Sequence, residues 1–328
     1  MSQQTPNAKL WQLALGFANT NILYTLIKSG VIEQLRNNAR TLSEIATACH
    51  LNADVLFRTL RFAKAIDIVT IEEDNYSLTD VGRLLLKDVS GSLYGGLLMI
   101  GSEPWQKSWN LLSYSLETGK DAFTEAMGSP IFDYLDKHPK YGEPYNQWMT
   151  TATSMSAKAI TASYDFSPFK TICDIGGGQG ILLKNILLAN PNLKGILYDQ
   201  ESVVANHVLN EVIERVTIQT GNFFEEVPTA DVLIMKSVLH DWDDEKSLSI
   251  LSNCKKVMTL ESRLLIVDMV LNNEPDPFGS FYDLHMQVLL AGRERTEQEF
   301  QTLLNKAELQ LKQIIPTQSP LKIIEVSL

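Results

Sequence analysis

The sequence predicts a two-part α/β chain: a mainly helical N-terminal portion, then a doubly wound, mostly parallel sheet that closes with an antiparallel hairpin. Three observations carry this. Past Thr171, short apolar runs alternate with segments of helical periodicity, the rhythm of strands and crossover helices. The first of those strands runs straight into a glycine-rich turn, Asp174-Ile-Gly-Gly-Gly-Gln-Gly180. Before residue 90 the order is helix, turn, helix and hairpin, a winged-helix pattern. A length of 328 residues is long for one core and comfortable for two. With 45% apolar and 20% charged residues, neither disorder nor a disulfide scaffold is indicated.

In the N-terminal portion, Trp11–Gly30 carries apolar residues at helical spacing and stops at Gly30. Thr41 and Glu44 form a capping-box pair that marks a helix start. The polar turn His50–Ala53 separates that helix from one at 54–65, and IVTIEEDNYSLT then alternates around Glu73–Asn75 as a hairpin does. A winged helix invites a nucleic-acid reading, but the charge opposes it. Residues 40–90 hold six Lys/Arg against eight Asp/Glu, and the whole chain carries -11. The expected role is packing or dimerisation. Residues 92–165 read as helical and rich in Trp, Tyr and Met. Trp105, Trp109, Tyr114, Trp148 and Met149 fit either a core or the walls of an aromatic pocket. Pro168 marks a boundary, giving a winged-helix-like domain over 1–95, a helical linker and substrate-pocket segment over 96–168, and the sheet domain over 169–328.

In that last domain TICDIG, LKGILYD, RVTIQTG, DVLIMKSV and RLLIVDMV read as strands of a parallel sheet. ILLKNILLAN and DEKSLSILSNCKKVM read as covering helices. LQLKQIIPT and LKIIEVSL lie too close in sequence for a crossover, so they pair as an antiparallel edge hairpin.

The glycine loop sits where doubly wound sheets bind ligands, beyond the carboxyl end of the first strand. The second strand ends at Asp199, 23 residues after Gly176, in place to accept hydrogen bonds from ribose hydroxyls. Dinucleotides favour G-x-G-x-x-G and a pyrophosphate. Here the spacing is Gly176-x-Gly178-x-Gly180, with Gly177 between and Asp174 at its head. An acid there suits a cofactor with a cationic amino group and no pyrophosphate, which is S-adenosylmethionine. Phe223 is placed to stack on its adenine and Asn222 to hydrogen-bond the base edge. Lys236, ending DVLIMK, points at the same crevice.

His240 follows that strand at a strand-to-helix junction on the ligand side, suited to removing a proton near neutral pH. Asp241, Asp243 and Asp244 resemble a metal cluster, but a helix cap and first-turn acids explain them better, and no metal is expected.

DIGGGQG, LYDQESVV, GNFF, MKSVLHDWDDE and GRERTEQEF, in that order, resemble the small-molecule O-methyltransferases of plants and bacteria, the caffeate, hydroxyindole and antibiotic type. The resemblance covers nearly the whole chain and implies a Rossmann-like S-adenosylmethionine-binding domain behind an N-terminal homodimerisation domain. It implies His240 as general base, Glu294 as the acid orienting it, and Asp268 as a second acid where relatives usually carry Glu. It also implies the cofactor residues named above, with Asn222 where relatives usually have Asp, a loss of charge expected to weaken cofactor binding. Asn146 and Met149 match a segment that packs on substrate, and Trp242 and Met286 are expected in the same pocket. The implied reaction is a single displacement that leaves S-adenosylhomocysteine.

Two other readings stand beside it: an N- or C-methyltransferase of the same fold, and a non-catalytic ligand-sensing regulator. The N-terminus shows no secretory pattern, and no run reaches the ~18 apolar residues of a membrane span. Cys49, Cys173 and Cys254 lack metal or redox spacing. The chain is expected to be cytoplasmic, with a small hydroxylated substrate and neither nucleic acid nor membrane as partner.

Overall fold

Alternate residues along the central strands feed two different cores, and this organises the larger part of the molecule. The computed structural model describes residues 5–328. The chain divides into two units, one of residues up to 107 with Phe132–Thr151, the other of Ser108–Ile131 with Ala152–Leu328. The segment 96–168 is therefore shared between both units. Its long helix Pro139–Ser163 begins in the first and ends in the second.

In the first unit, β1 (Arg40–Thr41), β2 (Val69–Glu72) and β3 (Asn75–Leu78) make an antiparallel sheet in the order β1-β3-β2. The expected capping box forms: Thr41 Oγ1 accepts the Glu44 N–H, and the Glu44 carboxylate accepts the Thr41 N–H at 2.8 Å. The second helix, Ala53–Ala65, is capped by Asn52 and buries Leu56, Leu60 and Ala63. These join Leu26, Val31, Ile45, Tyr76 and Leu78 in one core. Trp105 is buried, and the Trp148 ring lies where a Cβ on Gly96 would stand, so both are packing residues of this unit.

In the second unit the strands are β4 (Thr171–Ile175), β5 (Lys194–Asp199), β6 (Val216–Thr220), β7 (Val232–Lys236), β8 (Arg263–Leu271), β9 (Arg295–Thr296), β10 (Gln310–Pro316) and β11 (Leu321–Ser327). The sheet order is β10-β11-β8-β7-β4-β5-β6, with β9 alongside β8. Pairings from β6 to β8 are parallel; β11 joins β8, and β10 joins β11, antiparallel. Leu233, Met235, Leu264 and Ile266 pack on one face, while Val232, Ile234, Leu265 and Val267 pack on the other. Period-two side chains with both faces covered explain why these strands are apolar throughout. Among the described residues no helix is long and apolar enough to cross a membrane.

Candidate active site

From β4 the chain winds outward to β5 and β6, then returns to lay β7 on the other side of β4. That reversal opens a crevice between the carboxyl ends of β4 and β7, where such sheets bind ligands. The glycine loop fills one lip. Gly176 and Gly178 take φ of 65° and 60°, the left-handed region that side chains resist. Gly177 is needed for space: a Cβ there would stand 2.6 Å from Leu197 and 2.7 Å from the Asp174 carboxyl carbon. Asp174 is tucked beneath the loop, and its Oδ2 has no partner among the described residues. Asp199 closes the loop from β5, accepting the Gly178 N–H at 2.8 Å on Oδ2 and the Gln200 N–H on Oδ1. A carboxylate has about four acceptor positions, so it retains capacity for ribose hydroxyls.

The Phe223 ring lies against Gly176. It is joined by Phe224, and Trp242 stands edge-on to both, at 6.3 and 4.8 Å between centroids. Trp242, expected on the substrate side, thus packs with the residues expected to hold the adenine. Asn222 is exposed; its Oδ1 accepts the Phe224 N–H and its amide donates to Glu225, an Asx turn that shapes the loop.

The opposite lip follows β7. Ser237 at φ 54° breaks the strand, and the short turn Leu239–Asp241 carries His240. Arg295, buried on β9, donates to the carbonyls of Leu239 and Trp242, both at 3.1 Å, to Asp244 at 2.9 Å and to Ser247 at 3.2 Å. The Arg293 N–H holds the His240 carbonyl at 2.9 Å. Asp243 caps the following helix, as its position suggested. On the ring, His240 Nδ1 lies 2.7 Å from Glu294 Oε1, and Glu294 is anchored by its own N–H to Asp283 Oδ1 at 3.0 Å. His240 Nε2 stands 3.4 Å from Asp241 Oδ1 and makes no hydrogen bond among the described residues.

Electrostatics tie the two lips together. Burial works against the His240 imidazolium, yet Glu294, Asp241 and Asp268 outweigh it and lift the pKa to about 10. Burial pushes the Asp174 and Asp268 carboxyls up to about 7 and Asp241 up to about 6. Burial lowers the Lys236 ammonium, opposed by Asp268, Asp174 and Asp241. Both oxygens of Asp268, Oε2 of Glu294 and Oδ2 of Asp174 are buried without hydrogen-bond partners among the described residues. Buried polar atoms left this way are costly unless something else satisfies them. Acids in excess of the facing cations Lys236 and His240 suit a ligand that brings positive charge, and the open glycine loop beside Phe223 suits its nucleoside.

The crevice brings together Asp174, Gly176, Gly177, Gly178, Asp199, Phe223, Lys236, His240, Asp268 and Glu294. Met286 is buried on the helix Pro277–Leu290 of the same unit. Asn146, exposed, and Met149, half-buried, belong to the first unit. Sequence reasoning missed Asp241 as a partner of the histidine, and Arg295 and Asp283 as its supports. Asp241 was detectable by adjacency; the other two act through the fold.

A family model described as an O-methyltransferase domain matches residues 109–310, and another, an O-methyltransferase dimerisation domain, matches residues 11–88. The chain belongs to the O-methyltransferase family. This O-methyltransferase is 38% identical over 323 residues to phenazine O-methyltransferase PhzM of Lysobacter antibioticus, covering 96% of this chain and 94% of that protein. To 3-amino-4-hydroxybenzoate 4-O-methyltransferase of Streptomyces cremeus it is 35% identical over 319 residues, covering 94% and 87%. Its fold matches that of CalO1, a methyltransferase in calicheamicin biosynthesis solved in its S-adenosylhomocysteine-bound form. That match has a TM-score of 0.87 and 31% identity, and covers 100% of this chain and 99% of the other.

Proposed function

We propose that this O-methyltransferase acts on a hydroxyl of a small, planar aromatic or polyketide-like metabolite, with His240 as general base and without calling on a metal ion. The observation that carries the reading is the His240–Glu294 contact at 2.7 Å, with Nε2 free of hydrogen bonds among the described residues. S-adenosylmethionine, the cofactor of this enzyme, supplies when bound an electrophilic methyl group on a sulfonium and leaves as S-adenosylhomocysteine. Asp174, the glycine loop, Asp199 and Phe223 would hold it, and Lys236 stands at the same lip.

Glu294 takes the Nδ1–H, which fixes the tautomer and leaves the Nε2 lone pair to accept the hydroxyl proton. Asp241, 3.4 Å from Nε2, stabilises the imidazolium that results. Asp268 adds to the negative field that favours that imidazolium. Most acceleration comes from holding the hydroxyl in line, and base catalysis adds about 10²–10⁴-fold. The aromatic names of the two relatives and the cluster of Trp109, Phe281 and Tyr282 in the second unit support a flat acceptor.

The first unit serves as the homodimerisation module. Leu10, Trp11, Leu13 and Phe17 on its opening helices are each about two-thirds exposed, an apolar surface that a second copy would cover. The three cysteines are unpaired, as in a reducing cytoplasm.

Incubation with methyl-labelled S-adenosylmethionine and a native metabolite extract tests the reaction. The label is expected on a hydroxyl oxygen; label found on nitrogen or carbon overturns the proposal.

A further inference from the structure

His285 is buried on the helix Pro277–Leu290, next to Met286. No step of the reaction above uses it. Its Nδ1 accepts the Trp109 indole N–H at 3.0 Å. That bond fixes the tautomer, because a nitrogen accepting a proton donor leaves the hydrogen on Nε2. The ring is stacked against Trp109 and Phe281, at 5.8 and 5.2 Å between centroids, and Tyr282 stands edge-on to it. The hydrogen bond to Nδ1 and the three neighbouring rings, with Trp109 and Phe281 themselves stacked at 5.5 Å, therefore fix its orientation.

Nε2–H makes no hydrogen bond among the described residues, although the side chain is more than nine-tenths buried. Nε2 itself is not sealed off, so a ligand that covers it must bring an acceptor or leave the donor unpaired. The neighbourhood is that of the reaction. The helix packs on the turn that carries His240, Asp283 of the same helix anchors Glu294, and the neighbouring Tyr282 feels the Glu294 charge. Burial, then the His240 charge, hold the His285 ring at a pKa of about 4, so it is a neutral donor at working pH.

We propose that His285 selects the substrate: its Nε2–H donates a hydrogen bond to a neutral in-plane acceptor, a ring nitrogen or carbonyl oxygen, on the planar molecule whose hydroxyl His240 deprotonates. This rests on the reading of His240 as base. A neutral donor favours such an acceptor over a ring carbon, because the carbocycle would leave Nε2–H unpaired. The substrates indicated are hydroxylated nitrogen heteroaromatics and hydroxylated aromatic ketones or quinones.

The test uses the full-length enzyme, S-adenosylmethionine, and hydroxyquinolines against the naphthols of the same shape. Wild type is expected to favour hydroxyquinolines by about 10–100-fold in kcat/KM. His285→Phe, which keeps an aromatic ring in the stack, should bring the ratio close to unity, and His285→Asn should restore part of it. Trp109→Phe removes the bond that fixes the tautomer and should cut the preference severalfold, which covers the case of a misfolded His285→Phe. The proposal falls if wild type has no preference, if it binds the cofactor but turns over neither series, or if the preference survives both His285→Phe and Trp109→Phe. His240→Ala run alongside separates the two readings. Wild-type turnover by that variant removes the base assignment, whereas an inactive His240→Ala with no wild-type preference removes the His285 proposal alone.

Discussion

His240 stands among Glu294, Asp241 and Asp268, and this charge balance sets what the enzyme does with pH. With its pKa near 10, the ring of the ligand-free enzyme is imidazolium at neutral pH and cannot accept a proton. The kcat/KM of the wild type should therefore climb as pH rises above neutral, for a substrate whose hydroxyl stays un-ionised over the range. Glu294→Gln removes a leading source of the elevation and should move the midpoint down by about 1–3 pH units while lowering kcat. An unmoved midpoint would mean that another group titrates. Stability responds in a related way. Asp174 ionises near 4 when unfolded and near 7 when folded, so the folded state binds the extra proton between these values and stability falls as pH rises through them. The His240 contribution, complete below its unfolded pKa of 6.5, is lost as pH rises through 10, which acts in the same direction. Asp174→Asn should accordingly raise the melting temperature of the ligand-free enzyme at pH ~7.5, by about 2–4 °C per kcal/mol recovered, with a smaller rise at pH ~5 and little change at pH ~3. Calorimetry should show it binding S-adenosylhomocysteine more weakly; a lower melting temperature at the higher pH would contradict the burial cost assigned to Asp174. His240, Glu294 and the glycine loop were legible because their chemistry is local to a motif. The excess of acids was not, because Asp174, Asp241 and Asp268 lie on three different segments that only the sheet brings together.

At the scale of elements, the turn Leu239–Asp241 is held from β9, a strand of two residues. Neither β1 nor β9 is long enough to show periodicity, so both were invisible in the sequence, whereas the Thr41–Glu44 capping box, the wing hairpin and the edge hairpin were plain. Arg295, between Glu294 and a capping threonine, reads as a surface charge, yet it is almost wholly buried and makes four contacts with the His240 segment. Arg295→Met should remove the bonds to the Leu239 and Trp242 carbonyls and the ion pair with Asp244, at about 1–3 kcal/mol in all, and lower the melting temperature. Because the turn loses its backing, kcat/KM should fall further than the affinity for S-adenosylhomocysteine. A variant that melts lower yet turns over normally would show that Arg295 supports the fold but not the histidine.

For the whole molecule, a helical portion followed by a mostly parallel sheet with an antiparallel edge hairpin followed from the alternation of strands and helices. The division of residues 96–168 between the units did not. Ser108–Ile131 joins the sheet unit because its helix Ala122–Met127 packs on Pro277–Leu290, a long-range pairing that a contiguous reading cannot anticipate. The apolar surface at Leu10, Trp11, Leu13 and Phe17 predicts a homodimer by sedimentation. Trp11→Glu with Leu13→Glu should shift it toward monomer; an unchanged sedimentation coefficient would place the interface elsewhere. The winged helix should not retard random duplex DNA at low salt, since Arg58 is already paired with Asp54 at 2.7 Å and the chain is strongly acidic.

Single-turnover methyl transfer by His240→Ala, at saturating S-adenosylmethionine and with S-adenosylhomocysteine binding measured on the same preparation, tests the role of the histidine most directly. The expected result is cofactor affinity within about threefold of wild type and a transfer rate lower by about 10²–10⁴-fold. Transfer at the wild-type rate, with the cofactor bound normally, would contradict it.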